Sequence, residues 1–385
     1  MKKLVISCAV LALSAGAFAQ SSVPTNTTGN FELDLPTTNG GGNASLVSQQ
    51  GRPGGIATGN YAKVDQDGRQ NQALVEQLHN NHRAVLEQEG KRNEGEIKQR
   101  AAFSSNPPYP TKKNKWSNDH EMKQDGDRNE SLIVSFNDDN WGRVDIEGDR
   151  NETHMGQSTN GVGNGNFATQ YVTGNRNVVR SRQTRDNNRA YQEVEGDKNT
   201  LSVRQVTENT SWKVTAQGNH ADIYINGDRN RMQGSNFNAK AEAGVWQIGQ
   251  NNRADVSISG DDNDAKIDQY NSDMDMNELK QFAQDNRASL TITGDDNYSR
   301  TDQDGDGNTS HITVSLGDNN TSYATQHGDD NFSRIQQGGG NGSVADVDQL
   351  GDDNTSFVNQ NGYQHTSTTW QNGDNNYSNV TQSGL

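Results

Sequence analysis

The sequence is short of most things a soluble enzyme is built from. Cys8 is the only cysteine in 385 residues, so no disulfide can form within the chain. All six prolines lie at or before Pro110, and the 275 residues that follow contain none. Proline cannot donate to a strand ladder, so that long stretch is free to pair throughout. Hydrophobic residues make up 28% and the mean hydropathy is −1.06. Composition alone would place such a chain among those that bury too little apolar surface to offset chain entropy. Positive charge is scarce too: 34 Lys and Arg face 50 Asp and Glu, a formal charge of −16. That balance excludes nucleic acid as a natural partner. The glycine-rich turns lack the Lys-Ser/Thr of a phosphate loop, no Ser/His/Asp set stands apart, and the eight histidines are scattered. Catalytic residues, a cofactor and a metal site are therefore not expected.

What the sequence has is a repeat. Asn297-x-Ser-x-Thr-x-Gln303-x-Gly305 returns as Asn320-x-Ser322-x-Ala324-x-Gln326-x-Gly328 and as Asn354-x-Ser356-x-Val358-x-Gln360-x-Gly362. It appears again as Asn376-x-Ser378-x-Val380-x-Gln382-x-Gly384. Units close on Gly-x-x-Asn, as in Gly305/Asn308, Gly328/Asn331, Gly351/Asn354 and Gly373/Asn376, at steps of 23, 23 and 22 residues. A second set interleaves at Gly294/Asn297, Gly317/Asn320 and Gly338/Asn341. The unit is thus about 11 residues, paired into a repeat of about 22.

Within a unit, every second residue is small, β-branched or Gln, and those between are mostly polar. A period of two marks a strand with one face in and one out. Gly with Asp, Asn or Arg supplies the turn. The expected fold is all-β: a β-solenoid of stacked strand–turn–strand coils, cross-β-like, with like side chains about 4.8 Å apart. Gln303, Gln326, Gln349 and Gln371 would form one buried amide ladder, and Asn308, Asn331, Asn354 and Asn376 another. Gln360 and Gln382 hold the equivalent place in the alternate units, and Gly305, Gly328, Gly351 and Gly373 are the turn glycines. A buried amide is tolerable only if its donors and acceptors are used, and a ladder of its own kind uses them. Such ladders would stand in for an apolar core. A right-handed helical coiled coil also has an 11-residue period. A glycine in almost every unit would cost a helix about 1 kcal/mol each, which rules against it.

Taken in order, Met1 to Ala19 reads as a secretory signal, with Lys2 and Lys3, the apolar run Leu4 to Leu13, and Ala17-Phe18-Ala19 before Gln20. The run is too short to anchor stably in a bilayer, so no membrane insertion is expected. Residues 20–61, with Gly40-Gly41-Gly42, read as a flexible leader, and the repeats as running over 62–385. Pro107, Pro108 and Pro110, followed by Lys112, Lys113 and Lys115, mark an insertion loop at about 100–120. His79 and His82 take the Gly and Asn places of one unit, and without a third ligand they read as a solvated turn. Degenerate units at 209–217, 234–244 and 271–277 are expected to bulge. Asp302-x-Asp304-x-Asp306-Gly307 imitates the start of a calcium loop, but Thr313 stands where its bidentate Glu belongs. Asp306, Asp329, Asp330, Asp352, Asp353 and Asp374 would stack along one edge, so acid or divalent cations should speed assembly. The last unit runs to Leu385 without a cap, and an open in-register edge is a template for another chain.

The pattern Gln-x-Gly-x-x-Asn-x-(Ala/Ser), as in Gln303-x-Gly305-x-x-Asn308 and Gln326-x-Gly328-x-x-Asn331-x-Ser333, resembles the curlin repeat over roughly Ala62 to Leu385. Curlins are the subunits of curli, the functional amyloid of bacterial biofilms. The resemblance implies export, passage through an outer-membrane secretion pore, growth from a nucleator subunit, and self-polymerisation on the surface of a Gram-negative cell. It also implies roles in adhesion and biofilm matrix. The chain is longer than a typical curlin subunit and its outer face more charged, which leaves open a nucleating, minor or accessory role. The alternative is a monomeric exported solenoid that binds a surface by its flat face.

Overall fold

The computed structural model describes residues 25–26, 42–50, 60–79, 82–100, 118–158, 163–205, 218–232, 244–270 and 284–384. The expected signal, the proline-rich excursion and most of each bulge lie outside them. Alternation does what the period of two predicts. Strand Thr355–Asn361 turns Ser356, Val358 and Gln360 inward and Phe357 and Asn359 outward. The chain then reverses on a short turn. In Gly328-Asp329-Asp330-Asn331, Gly328 sits at φ +107° and Asp330 at φ +55°. A Cβ on Gly328 would lie 2.4 Å from the carbonyl oxygen of Gly351 one coil on, so only glycine fits.

Each coil gives one strand to each of two parallel sheets, of 15 and 13 strands among the described residues. The first sheet runs from Thr25–Asn26 through Ala44–Gln50 to Thr366–Asn372. The second runs from Tyr61–Arg69 to Tyr377–Ser383. Pairing is in register, so Gln303, Gln326, Gln349 and Gln371 stand in one column. The sheets face one another, and no helix among the described residues is long and apolar enough to cross a membrane.

Four expectations need correction. Ala44–Gln50, inside the stretch expected as leader, is a strand paired in register with Gln72–Leu78. It carries the unit Asn43-x-Ser45-x-Val47-x-Gln49, hidden in sequence by glycine-rich flanks. The bounds 100–120 expected for an insertion are too wide, because Arg100 ends one strand and Asn118 begins the next; the residues between lie outside the described ones. His82 does not sit in a solvated turn; it is fully buried, and His79 is 8% exposed. The amide ladders do not replace an apolar core but flank one. Val75, Ile97, Ile133, Val203 and Ile267 fill the strand centres of the first sheet, and Leu86, Val144 and Ile223 those of the second. At one place the partner of a strand comes in two pieces: Leu201 pairs with Met232 and Val203 with Val245, and residues 233–243 lie outside the described ones.

Candidate functional site: the amide ladders and the last coil

A glutamine side chain in this interior has two donors to place, and each is used differently. In the first sheet Gln303 Nε2 donates to Gln326 Oε1 at 3.0 Å, Gln326 to Gln349 at 2.9 Å, and Gln349 to Gln371 at 2.8 Å. The same nitrogens reach across the coil to the backbone of the second sheet. Gln303 donates to the Arg287 carbonyl, Gln326 to Thr309, Gln349 to Phe332 and Gln371 to Thr355, all at 3.0 Å. Each amide therefore fastens its coil to the next and its own two strands to each other. That double use is why so polar an interior is stable.

The second sheet keeps this ladder only near its ends. Gln66, Gln88 and Gln124 form one part, and Gln337, Gln360 and Gln382 the other, with Gln360 donating to Gln382 at 2.8 Å. Between them the position holds Ile146, Val172, Val194, Ile225, Ile258, Ile292 and Val314.

The asparagines work at the turns. The backbone N–H of Asn331 donates to Asn308 Oδ1 at 3.0 Å, Asn354 to Asn331 and Asn376 to Asn354, each at 3.0 Å. Looking the other way, Asn308 Nδ2 donates to the Gly328 carbonyl and Asn331 Nδ2 to that of Gly351, both at 2.7 Å. This is the physical content of the Gly-x-x-Asn pair: the glycine carbonyl of each coil receives the asparagine of the coil before. Gly305 accepts in the same way from Asn286 at 2.7 Å. Gly373 accepts from Asn376 within its own turn at 3.0 Å.

The aspartates on the turn edge are also ordered. The backbone N–H of Asp306 donates to Asp329 Oδ1, Asp329 to Asp352 and Asp352 to Asp374, at 2.9 to 3.0 Å. Burial pushes the Asp306 carboxyl above its ordinary range, and Asp329, Asp285 and Asp330 add to it. Of the calcium-loop mimic, Asp302 binds Arg300 and Asp304 faces His327 Nδ1 at 3.3 Å, and the described residues hold no cluster fit for a metal.

The last described coil breaks the burial pattern. Ser356, Val358 and Gln360 are at most 1% exposed, whereas Ser378, Val380 and Gln382, one coil on, are all partly exposed. Tyr377 is 68% and Trp370 72% exposed. Strands Thr366–Asn372 and Tyr377–Ser383 each have a partner on one side only among the described residues.

Two in-register parallel sheets, closed by glycine turns and tied by buried amide columns, define the class: a β-solenoid of cross-β type. Four segments, 57–90, 242–270, 294–328 and 351–384, match the family described as the Curlin associated repeat. The chain carries curlin-associated repeats at these four places, and the family of that repeat is structural, made of extracellular fibre components. No curated protein matches the chain.

Sequence reasoning found the columns of Gln and Asn but missed two functional features. Neither the loss of the Gln ladder mid-way along the second sheet nor the buried role of His82 and His120 was read. The signal for the first was present, since Ile258 and Ile292 stand two residues before Gly260 and Gly294, where Gln303 stands before Gly305.

Proposed function

We propose that this protein is an exported structural subunit that polymerises end to end into curli-like amyloid fibres on the surface of a Gram-negative cell. There it serves adhesion and biofilm matrix, with a nucleator subunit and an outer-membrane secretion pore as partners. One observation carries the reading. Ladder positions buried in coil after coil stand partly open at Ser378, Val380 and Gln382. An in-register edge without a second partner among the described residues offers another copy the same hydrogen bonds and the same apolar column that join coils within the chain. The ladder residues Gln303, Gln326, Gln349, Gln371, Gln360 and Gln382, with Asn308, Asn331, Asn354 and Asn376, act in this reading as the template that growth copies.

One detail favours a minor or nucleating subunit as a second reading. At the other turn the asparagine column passes from Asn320 to Ser343 and then His365, so one corner of the last coil offers a poorer template.

The test is thioflavin fluorescence of the purified protein at neutral pH, with and without preformed seeds. Lag and growth, with the lag abolished by seeds, support a polymerising subunit. A protein rich in β-structure that stays clear even when seeded overturns the reading in favour of a monomeric surface-binding solenoid.

A further inference from the structure

The glutamine column of the first sheet has one gap, and the molecule fills it from the opposite sheet. In register the column reads Gln77, Gln99, Ser135, Gln157, Gln183. The Ser135 hydroxyl is buried and has no partner among the described residues. The facing column of the second sheet is otherwise small: Ala84, then His120, then Gly142, Ala168 and Ala190. At this coil the large and the small residue have changed sides. Gly142 makes the room, since a Cβ there would lie 2.7 Å from the His120 ring and 2.6 Å from Met155 Sδ.

His120 carries the hydrogen-bond chain across the gap. Its Nδ1 lies 2.7 Å from Gln99 Nε2 and its Nε2 lies 2.9 Å from Gln157 Oε1. Gln99 Nε2 can only donate, so Nδ1 accepts and Nε2–H donates; the ring is neutral. Turning the Gln99 amide over gives no relief. Its oxygen would then face the carbonyls of Arg83 at 2.8 Å and Asn118 at 3.2 Å.

The same coil contact holds a second histidine in the same state. His82 occupies the corner where Asn118, Asn140 and Asn166 follow. Its Nε2 is 3.0 Å from the Leu78 carbonyl and its Nδ1 3.4 Å from Asn118 Nδ2, which again makes Nε2 the donor and Nδ1 the acceptor. Among the described residues no carboxylate or cation offsets either ring. Burial dominates both and lowers them; the Gln157 bond opposes it at His120, and at His82 the Leu78 bond opposes it while His120 and His79 add to it. Around His120 the neighbouring strands set Ala84, Gly142, Gln99, Met155 and Gln157, and among the described residues the titratable group acting with it is His82.

We propose that the contact between strands His82–Lys91 and Asn118–Asp125 is an acid-sensitive joint, closed while His82 and His120 are neutral and opened by their protonation. A proton on either Nδ1 sets donor against donor, so the solenoid parts here before it parts elsewhere. Burial holds both rings down at about 4, below the ordinary 6.5. A lowered folded value means the opened state binds more protons between those limits. The joint is therefore at full strength above about pH 6.5 and weakens as pH falls towards 4. At pH 5 each histidine favours opening by about thirtyfold.

Hydrogen exchange of the full-length protein, corrected for intrinsic rate, tests this between pH 7 and pH 4.5. Segments 82–100 and 118–157 should lose protection by at least tenfold more than segment 287–361. The double variant His120→Ala/Ser135→Gln restores the usual side for glutamine and should hold its protection to lower pH. His82→Asn, which completes the asparagine column, should remove part of the acid response and folds independently of the double variant. Equal acid loss in all segments overturns the proposal. So does an acid response left unchanged by His82→Asn.

Discussion

Replacing Gln326 by leucine tests whether the amide column holds the coils together. Gln326 is fully buried, and its side chain makes three bonds. It donates to Gln349 Oε1 at 2.9 Å and to the Thr309 carbonyl at 3.0 Å, and accepts from Gln303 Nε2 at 3.0 Å. Leucine keeps most of the volume, so cavity terms are small. Gln349 Oε1 is left without its column donor in a dry interior, which costs about 1–3 kcal/mol. The other two lost bonds add about 0.5–1.5 kcal/mol each, because Gln303 keeps the carbonyls of Arg287 and Asn308. The expected loss is about 2–6 kcal/mol, local to this coil and its neighbours. Hydrogen exchange of segment 298–350 should then speed up by at least about thirtyfold. Thr325→Ala, one residue away and facing outward, is the control and should stay within about 0.5 kcal/mol. If the two variants exchange alike, the column contributes nothing and the apolar centre of each coil carries the stability alone.

Three further outcomes follow from the geometry. Gly305→Ala, at φ +122° with the Gly328 carbonyl oxygen 2.1 Å from the added Cβ, should lower stability by at least about 2 kcal/mol in thermal unfolding. Val380→Asp should leave the unassembled protein nearly as stable as before, yet slow seeded elongation at least tenfold, because among the described residues Val380 is packed on one side only. The Asp306 carboxyl is raised, chiefly by burial, so its folded form binds protons more readily than the free acid. The stability it contributes is present at low pH and is lost as pH rises through its folded value. Thioflavin-followed elongation should quicken as pH falls from 7 to 4, or with added calcium; a flat rate across both would contradict the stacked-aspartate account.

The architecture was legible because its signals are local and repeated. Period-two alternation, Gly-x-x-Asn turns and equal steps between Gln303, Gln326, Gln349 and Gln371 all point the same way, and the parallel register of these four confirms the fold class. Features that depend on a partner in another coil were not legible. His120 makes sense only beside Ser135 and Gly142, residues 15 and 22 positions on. The partner of strand Thr200–Gln205 comes in two pieces, Arg231–Met232 and Val245–Gln247, and neither carries a full unit by which to recognise it. Strand Ala44–Gln50 belongs to a complete unit, but its glycine-rich flanks hid it.

The central claim, that coils stack within one chain before chains stack on each other, has a direct test in solid-state NMR of assembled protein. The thirteen strands described in the second sheet, at about 4.8 Å each, place identical residues of successive copies at least roughly 60 Å apart. A sample carrying a single carbonyl label at the valines should show Val358–Val380 proximity within one molecule, and that coupling should survive dilution with unlabelled protein. If the coupling disappears on dilution, neighbouring strands come from different molecules, and the solenoid account fails.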